Sequence, residues 1–228
     1  MVSVRDPEPT LRSTLVEAER YRLLGLSLCY PDPEELRSEL AAVPVELEAI
    51  ASVLRPHVDA ALPGEYLRLF AQSAPVSPYE GTYFVEEKGV LMGQLAALYQ
   101  LFGARTGGQE HESPDHIGVE VEFAALLTLK EALCLRDEEA EPLEVTRAAR
   151  RAFFEDHLGR WVEEMARRLA EETRHPFYAN LGPLLVSTIT NDIVSRGYQP
   201  MRKARGRGLP VVNDAEHVTC ATPGGVEL

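Results

Sequence analysis

Cysteine is scarce in this chain of 228 residues, and its three cysteines, Cys29, Cys134 and Cys220, lie far apart. No two of them form a CxxC pair or any other spacing typical of metal ligands. The cysteines therefore indicate neither a zinc site nor a disulfide framework. We expect a reduced protein that holds no metal and no prosthetic group tightly.

Long apolar runs are also missing. The amino-terminal stretch MVSVRDPEPTLRSTLVEAER has no apolar segment as long as that of a signal peptide. Nowhere do ~20 uninterrupted apolar residues occur, which is the length that a membrane-spanning helix needs. We therefore expect a cytoplasmic protein without stable membrane insertion.

Positive charge and aromatic side chains are in short supply. The chain has 36 acidic and 23 basic residues, a formal net charge of −13, and only 7% aromatic residues. This charge repels the phosphates of nucleic acids and anionic lipids, so we expect no nucleic-acid partner. A basic partner is the natural complement.

Apolar residues that recur at spacings of three and four predict helices along most of the chain, and no segment alternates convincingly with a period of two. The predicted fold class is therefore all-α, in one compact helical domain. In the first helix we expect the buried face to comprise Leu11, Leu15, Ala18, Tyr21, Leu24 and Leu28. The predicted helices cover 10–30, 34–42, 45–54, a short segment from Gly64, 90–102, 117–135, a long segment from Pro142 to Pro176, and 177–196.

The composition changes near residue 198. The residues beyond it are rich in glycine, proline and charge, and four bases (Arg202, Lys203, Arg205 and Arg207) outnumber three acids. We expect a helical domain over 1–198 and a flexible basic tail over 199–228. A basic tail can bind nucleic acid, but such a tail is more often simply exposed to solvent.

The segment SAPVSPYEGTYF is an unusually apolar loop, and two interpretations of it stay open. Its proline and aromatic side chains either tuck into the core or line a rigid groove that receives a peptide segment. Rigid walls suit peptide binding because they lose little entropy when a segment docks.

The densest polar cluster, HESPDHIGVEVEF, also has two interpretations. A metal-binding or enzymatic all-α protein would use His111, Asp115 and His116, although the turn at Pro114 divides these ligands between a connector and a helix. The other interpretation is the start of a helix, with Ser113 as the N-cap, Pro114 at the first position, Asp115 near the positive end of the dipole, and His116 exposed.

Four segments in a fixed order, EYLRLF, PVSPYEGTYF, SPDHIGVEVEFAALL and HPFYANLGPLL, make the chain resemble the TorD/DmsD/NarJ family of redox-enzyme maturation chaperones. The similarity spans about Leu11 to Gly197, and its most specific element is PDH followed by the acidic-aromatic EVEF. Members of that family are all-helical cytoplasmic proteins. They bind the twin-arginine signal peptide of a molybdenum enzyme and delay its export until the cofactor is inserted.

The resemblance implies which residues bind the signal peptide and the client. An apolar pair comes from EYLRLF, a Pro-aromatic-acid loop from SPYE, and an Asp-His pair from PDH. Gly81 stands where many members have serine, so the resemblance implies no hydroxyl contact there. The implied set is Leu69, Phe70, Pro78, Tyr79, Glu80, Tyr83, Pro114, Asp115, His116, Glu122 and Phe123.

The expected function follows from the resemblance and agrees with the charge. We expect a non-enzymatic TorD-like chaperone, monomeric or a domain-swapped dimer. Its partners would be the twin-arginine leader and the apo catalytic subunit of a molybdopterin oxidoreductase of the dimethyl-sulfoxide-reductase type. A twin-arginine leader has two guanidinium groups next to an apolar stretch, so its receptor should place acidic residues next to an apolar groove. Glu80, Asp115 and Glu122 would be the acids, and Leu69 and Phe70 would line the groove.

Overall fold

A computed structural model describes residues 10–71, 73–84, 88–104 and 112–201 of the chain. Within these ranges the regular elements are helices, together with one isolated antiparallel bridge between Tyr79 and His116. The all-α prediction is thereby confirmed. The helices are α1 Leu11–Leu28, α2 Pro33–Ala41, α3 Glu48–Leu54, α4 Leu62–Phe70, α5 Lys88–Leu101, α6 Ile117–Asp137, α7 Ala140–Phe153, α8 Gly159–Glu172 and α9 Pro176–Arg196.

Local capping chemistry sets several helix ends where the sequence predicts them. The side chain of Thr10 accepts a hydrogen bond from the Ser13 amide at the start of α1, and Asp32 does the same for two amides of α2. Helix α9 ends at Gly197, which adopts φ +65°, a left-handed conformation that glycine tolerates best.

The buried face of α1 differs from the prediction in its first turns. Leu11 and Leu15 are 37% and 42% exposed, whereas Thr14 is fully buried. The hydroxyl of Thr14 can be buried because it donates to the carbonyl oxygen of Thr10. The predicted residues from Ala18 onward do lie in the core.

Helices α1 and α6 pack closely along the centre of the molecule. Two glycines permit this approach: a Cβ atom on Gly25 would lie 2.8 Å from the side chain of Glu122, and one on Gly118 would lie 2.7 Å from Cys29 Sγ. Larger side chains would push the helices apart. About half of the residues of α6 are buried, as suits a helix at the centre of the molecule.

The long helix expected from Pro142 to Pro176 is two helices. Helix α7 begins earlier, at Ala140, and a π-helical turn over Phe154–Leu158 separates it from α8. Such a wide turn changes the rotation of the side chains that follow. Phe154, His157 and Leu158 all become buried there.

The last described residues belong to the helical body. Tyr198 is 8% exposed, and its ring centroid lies 5.6 Å from that of Phe154. From residue 202 onward the predicted tail lies outside the described residues. Among the helices that the structure describes, none combines the length and apolar character needed to cross a membrane.

A buried arginine joins α1, α6, α7 and α9. Arg150 is fully buried, and its guanidinium donates to Glu131 Oε2 at 3.0 Å and also to Glu17 and Asp192. The hydroxyl of Tyr21 donates to the same Asp192 oxygen at 3.0 Å. Burial raises the pKa of Asp192 to about 6 despite these partners.

We expect Arg150→Met to lower the free energy of unfolding by about 3–5 kcal/mol, because it leaves buried carboxylates without their central cation. The exposed Arg167→Met variant is the control and should unfold close to wild type. Urea titrations of the three proteins measure the difference. A loss below about 1 kcal/mol for Arg150→Met would show that Arg196 alone neutralises the cluster.

Candidate functional site

The apolar loop between α4 and α5 is fastened to the start of α6. The Glu80 amide donates to the Asp115 carbonyl at 2.9 Å, and the Ile117 amide donates to the Pro78 carbonyl at 2.8 Å. Val76 and Pro78 are buried, whereas Tyr79 is half-buried. The loop therefore folds over the core, which decides between the two interpretations for Val76 and Pro78.

Helix α6 starts later than the SP dipeptide indicates. Its N-cap is His116, whose Nδ1 accepts from the Gly118 amide at 3.1 Å, so the assignment of Ser113 as the cap is wrong. The expectation of an exposed His116 is also wrong, since His116 and Asp115 are each 1% exposed. The reason is tertiary: the bridge to Tyr79 holds His116 extended, and the helix begins only after it, at Ile117.

The side chain of Asp115 holds the loop rather than facing solvent. One carboxylate oxygen accepts from Ser113 Oγ at 2.6 Å, and the other accepts from the Gly81 amide at 3.3 Å. A Cβ atom on Gly81 would lie 3.1 Å from the second oxygen. The tight space above Asp115 explains why glycine suits position 81 in this chain.

His116 is engaged through both ring nitrogens. Besides the bond to Gly118, its Nε2 lies 3.3 Å from the hydroxyl oxygen of Tyr66. Burial lowers the pKa of His116 to about 4, so the imidazole is neutral at physiological pH.

The metal-site interpretation finds no support in this geometry. His111, its third member, lies outside the described residues. Within the described ranges, no group of three or more His, Cys, Asp or Glu side chains could hold a metal ion.

Two fully buried carboxyl groups, Glu80 on the loop and Glu120 on α6, lie beneath the Asp115 turn. Glu80 Oε2 lies 3.1 Å from His157 Nδ1, and Glu120 Oε2 accepts from Trp161 Nε1 at 3.1 Å. Burial, and then the nearby charge of Glu80, raise the pKa of Glu120 well above its usual range. A protonated Glu120 can donate to Glu80, which would satisfy the two oxygens left over, Glu80 Oε1 and Glu120 Oε1.

The other predicted site residues divide between core and surface. Leu69, Phe70 and Phe123 are at most 5% exposed and belong to the core. The half-buried Tyr83 donates to the Ser77 carbonyl at 2.8 Å. Pro114 is half-buried, and its carbonyl accepts from Tyr99. Glu122 is exposed.

What remains accessible above His116 is a surface that we call the acidic-aromatic face, formed by Tyr30, Tyr79, Glu112 and Glu122. Tyr30 is 57% exposed, and its ring stands edge-on at 5.6 Å from that of Tyr66. Burial, and then the charges of Glu122 and Glu112, raise the pKa of the Cys29 thiol to about 12. The carboxylates of Glu112 and Glu122 therefore both lie close enough to act on the Cys29 thiol. Two negative charges in one region of the surface favour a cationic ligand.

The family model described as "Nitrate reductase delta subunit" matches residues 34–167, which is more than half of the chain. The chain belongs to the nitrate reductase delta subunit family. The TorD/DmsD/NarJ resemblance is thereby confirmed.

Two curated relatives in this family have informative names. The selenate reductase assembly chaperone protein of Thauera selenatis is 38% identical over 130 residues, 54% of this chain and 64% of the relative. The chain thus covers less than two thirds of that relative. The chlorate reductase assembly chaperone protein of Ideonella dechloratans is 34% identical over 146 residues, 62% of this chain and 73% of the relative.

The family resemblance did not identify three residues that hold the site. Tyr66 contacts His116, while His157 and Trp161 contact the two buried glutamates. A signal for the last two existed: they are four residues apart within a predicted helix, so they lie on the same helical face as the apolar residues Phe154, Leu158 and Met165. A polar histidine on such a face indicates a buried hydrogen-bond partner.

We expect Asp115→Ala to lower the free energy of unfolding by about 1–3 kcal/mol, since it removes the acceptor of two hydrogen bonds in a buried site. If Asp115 interacted only with the helix dipole, the loss of unfolding free energy would be smaller. Asp156→Ala, at an exposed aspartate, is the control. Equal stability of Asp115→Ala and wild type in urea titrations would refute the anchoring role.

The capping histidine makes stability depend on pH. The unfolded chain protonates His116 near ~6.5 and the folded chain only near about 4, so stability falls as the pH drops between these values. His116→Asn keeps a good N-cap and should make this fall shallower. Urea unfolding at several pH values between 7 and 4 measures it.

The control is His175→Asn, which replaces the other capping imidazole, at the start of α9. If wild type and His116→Asn lose stability equally across this range, the neutral buried state of His116 is incorrect.

Proposed function

We propose that this chain is a cytoplasmic assembly chaperone for a molybdopterin oxidoreductase of the dimethyl-sulfoxide-reductase type. It binds the twin-arginine leader of the apo catalytic subunit and delays export until the cofactor is inserted. Membership of the family and the names of the two relatives, both assembly chaperones of reductases, support the general role. The chaperone itself supplies no catalytic residue.

The observation that carries the leader-binding proposal is the acidic-aromatic face. Its two carboxylates are exposed and its two tyrosine rings are partly exposed, so all four can meet a ligand without refolding. Guanidinium groups bind carboxylates through charge-assisted hydrogen bonds and stack on aromatic rings. A pair of arginines in a leader therefore fits this face.

The proposal gives the implied site residues two different roles. Glu122 and Tyr79 contact the leader. Glu80, Asp115 and His116, which are each at most 1% exposed, position the loop that carries Tyr79. Leu69, Phe70 and Phe123 belong to the core, and Pro78 is buried within the loop itself. Tyr83 fastens the loop through the Ser77 carbonyl, and Tyr99 fastens the turn at Pro114.

The alternative, a metal-binding or enzymatic protein using His111, Asp115 and His116, has no observation in its favour. Asp115 and His116 already bind the loop and the helix start. We therefore propose the chaperone role alone.

The double variant Glu112→Lys/Glu122→Lys should weaken leader binding by about tenfold or more, because each change replaces attraction to guanidinium by repulsion. The probe is a synthetic peptide with two adjacent arginines followed by an apolar stretch, as in a twin-arginine leader, and its binding is measured by calorimetry. The matched control is Glu35→Lys/Glu163→Lys, which makes the same charge change at exposed glutamates on α2 and α8.

Binding by the control should stay near wild type, and both double variants should melt near wild type. Equal weakening in the two double variants would mean that net charge, and not this face, attracts the peptide. Undiminished binding by Glu112→Lys/Glu122→Lys would remove the face from the proposed function.

A further inference from the structure

An apolar groove lies between the end of α5, the last turns of α6 and the first turns of α7. It has a volume of about 470 Å³, and its floor includes the buried side chains of Phe102 and Cys134. Three large apolar side chains on it are exposed: Leu101 at 72%, Val145 at 56% and Leu133 at 37%. Exposed apolar side chains that are grouped in one groove favour the binding of a peptide segment.

The rim of this groove is acidic. Asp137, Glu139 and Glu141 line it, against the single base Lys130, and Glu138 stands exposed between them. Asp137 is paired with Arg136, while the glutamates face solvent. The best occupant is therefore a segment that places basic residues next to an apolar stretch.

The chain itself contains such a segment directly after the last described residue. Arg202, Lys203, Arg205 and Arg207 are followed by the apolar run LPVV over 209–212, and no acid occurs before Asp214.

The described chain ends within reach of the groove. The Met201 amide donates to the Glu155 carbonyl at 3.2 Å, and the Gln199 amide donates to Glu155 Oε1 at 2.8 Å. Glu155 lies ten residues after Val145 along α7 and the π turn, which corresponds to about 15 Å. Eight extended residues, from Met201 to Leu209, span up to about 26 Å and cover that distance.

We propose that residues 202–212 of this chain dock on the groove, with the basic residues at the acidic rim and LPVV on the apolar floor. Docking covers the exposed leucines and Val145 and neutralises part of the acidic rim.

A second cavity, about 1220 Å³ between α1, α7 and α9, suits this segment less well. Its charged side chains bind one another: Arg12 pairs with Glu46, and Arg196 pairs with Asp192. A basic segment entering there would have to displace these arginines.

The inference does not depend on the proposed function. Glu122 and Leu133 are eleven residues apart on α6, which is about 16 Å along the helix. The groove and the acidic-aromatic face are therefore separate surfaces, and the tail can dock whether or not a leader binds.

Photo-crosslinking of the full chain tests the docking. With p-benzoylphenylalanine at Val211, crosslinks mapped by mass spectrometry should fall on residues 130–146 and join residues of the same chain. The same probe at Val226, in the tail but away from the basic run, should give much weaker crosslinks there. A mixture of ¹⁴N- and ¹⁵N-labelled protein distinguishes crosslinks within a chain from those between copies.

A second crosslinking experiment uses variants in which the charge on the rim of the groove is reversed. Glu139→Lys/Glu141→Lys should reduce the Val211 crosslink yield by about fivefold, while Glu35→Lys/Glu163→Lys leaves it unchanged. The proposal is overturned if Val211 crosslinks no more than Val226, if the crosslinks map to α1 and α9, or if they join only different copies. Equal loss in both double variants would also overturn it.

Discussion

The structure depends on one constraint: three carboxyl groups, Glu80, Asp115 and Glu120, are buried at the junction of a loop and a helix start. A buried carboxylate is tolerated only when hydrogen bonds or a proton compensate for lost hydration. Here a backbone amide, a serine hydroxyl, a histidine and an indole supply hydrogen bonds, and burial raises the pKa of Glu120, which favours its neutral form. The loop has few other positions that satisfy these groups, so its placement is fixed.

Because of this constraint, Glu80, Asp115 and Glu120 hold the structure together and do not face solvent. The accessible negative charge lies one layer further out, on the exposed Glu112 and Glu122. In the proposed function, a ligand with two guanidinium groups meets these carboxylates and tyrosine rings on a backbone that the buried layer holds in place. A division between residues that touch a ligand and residues that hold them is common to preorganised sites.

Much of the fold was predictable because apolar periodicity and caps are local signals. Ala18, Tyr21, Leu24 and Leu28 lie in the core as their spacing predicts, and Gly197 ends α9. The errors occurred where tertiary contacts override local preference. Ser113-Pro114 looks like a helix start, but the bridge between Tyr79 and His116 delays the helix until Ile117.

The motifs that make up the candidate site are visible in the sequence, but the burial of Glu80, Asp115 and His116 is not. Spacing along one chain does not show that Glu80 meets His157 or that Glu120 meets Trp161, since these partners come from elements 77 and 41 residues away in sequence. Sequence spacing does not reveal the Arg150 cluster either, because its partners Glu17, Glu131 and Asp192 come from three different helices.

The most direct test of this account is amide hydrogen exchange at Glu80 and Ile117, whose amides join the loop to the start of α6. The account predicts slow exchange at both amides in the free protein, and equally slow exchange when a leader peptide is bound at the acidic-aromatic face. Faster exchange at these two amides on leader binding would contradict it. That result would mean that the loop opens and that Asp115 and His116 themselves contact the leader.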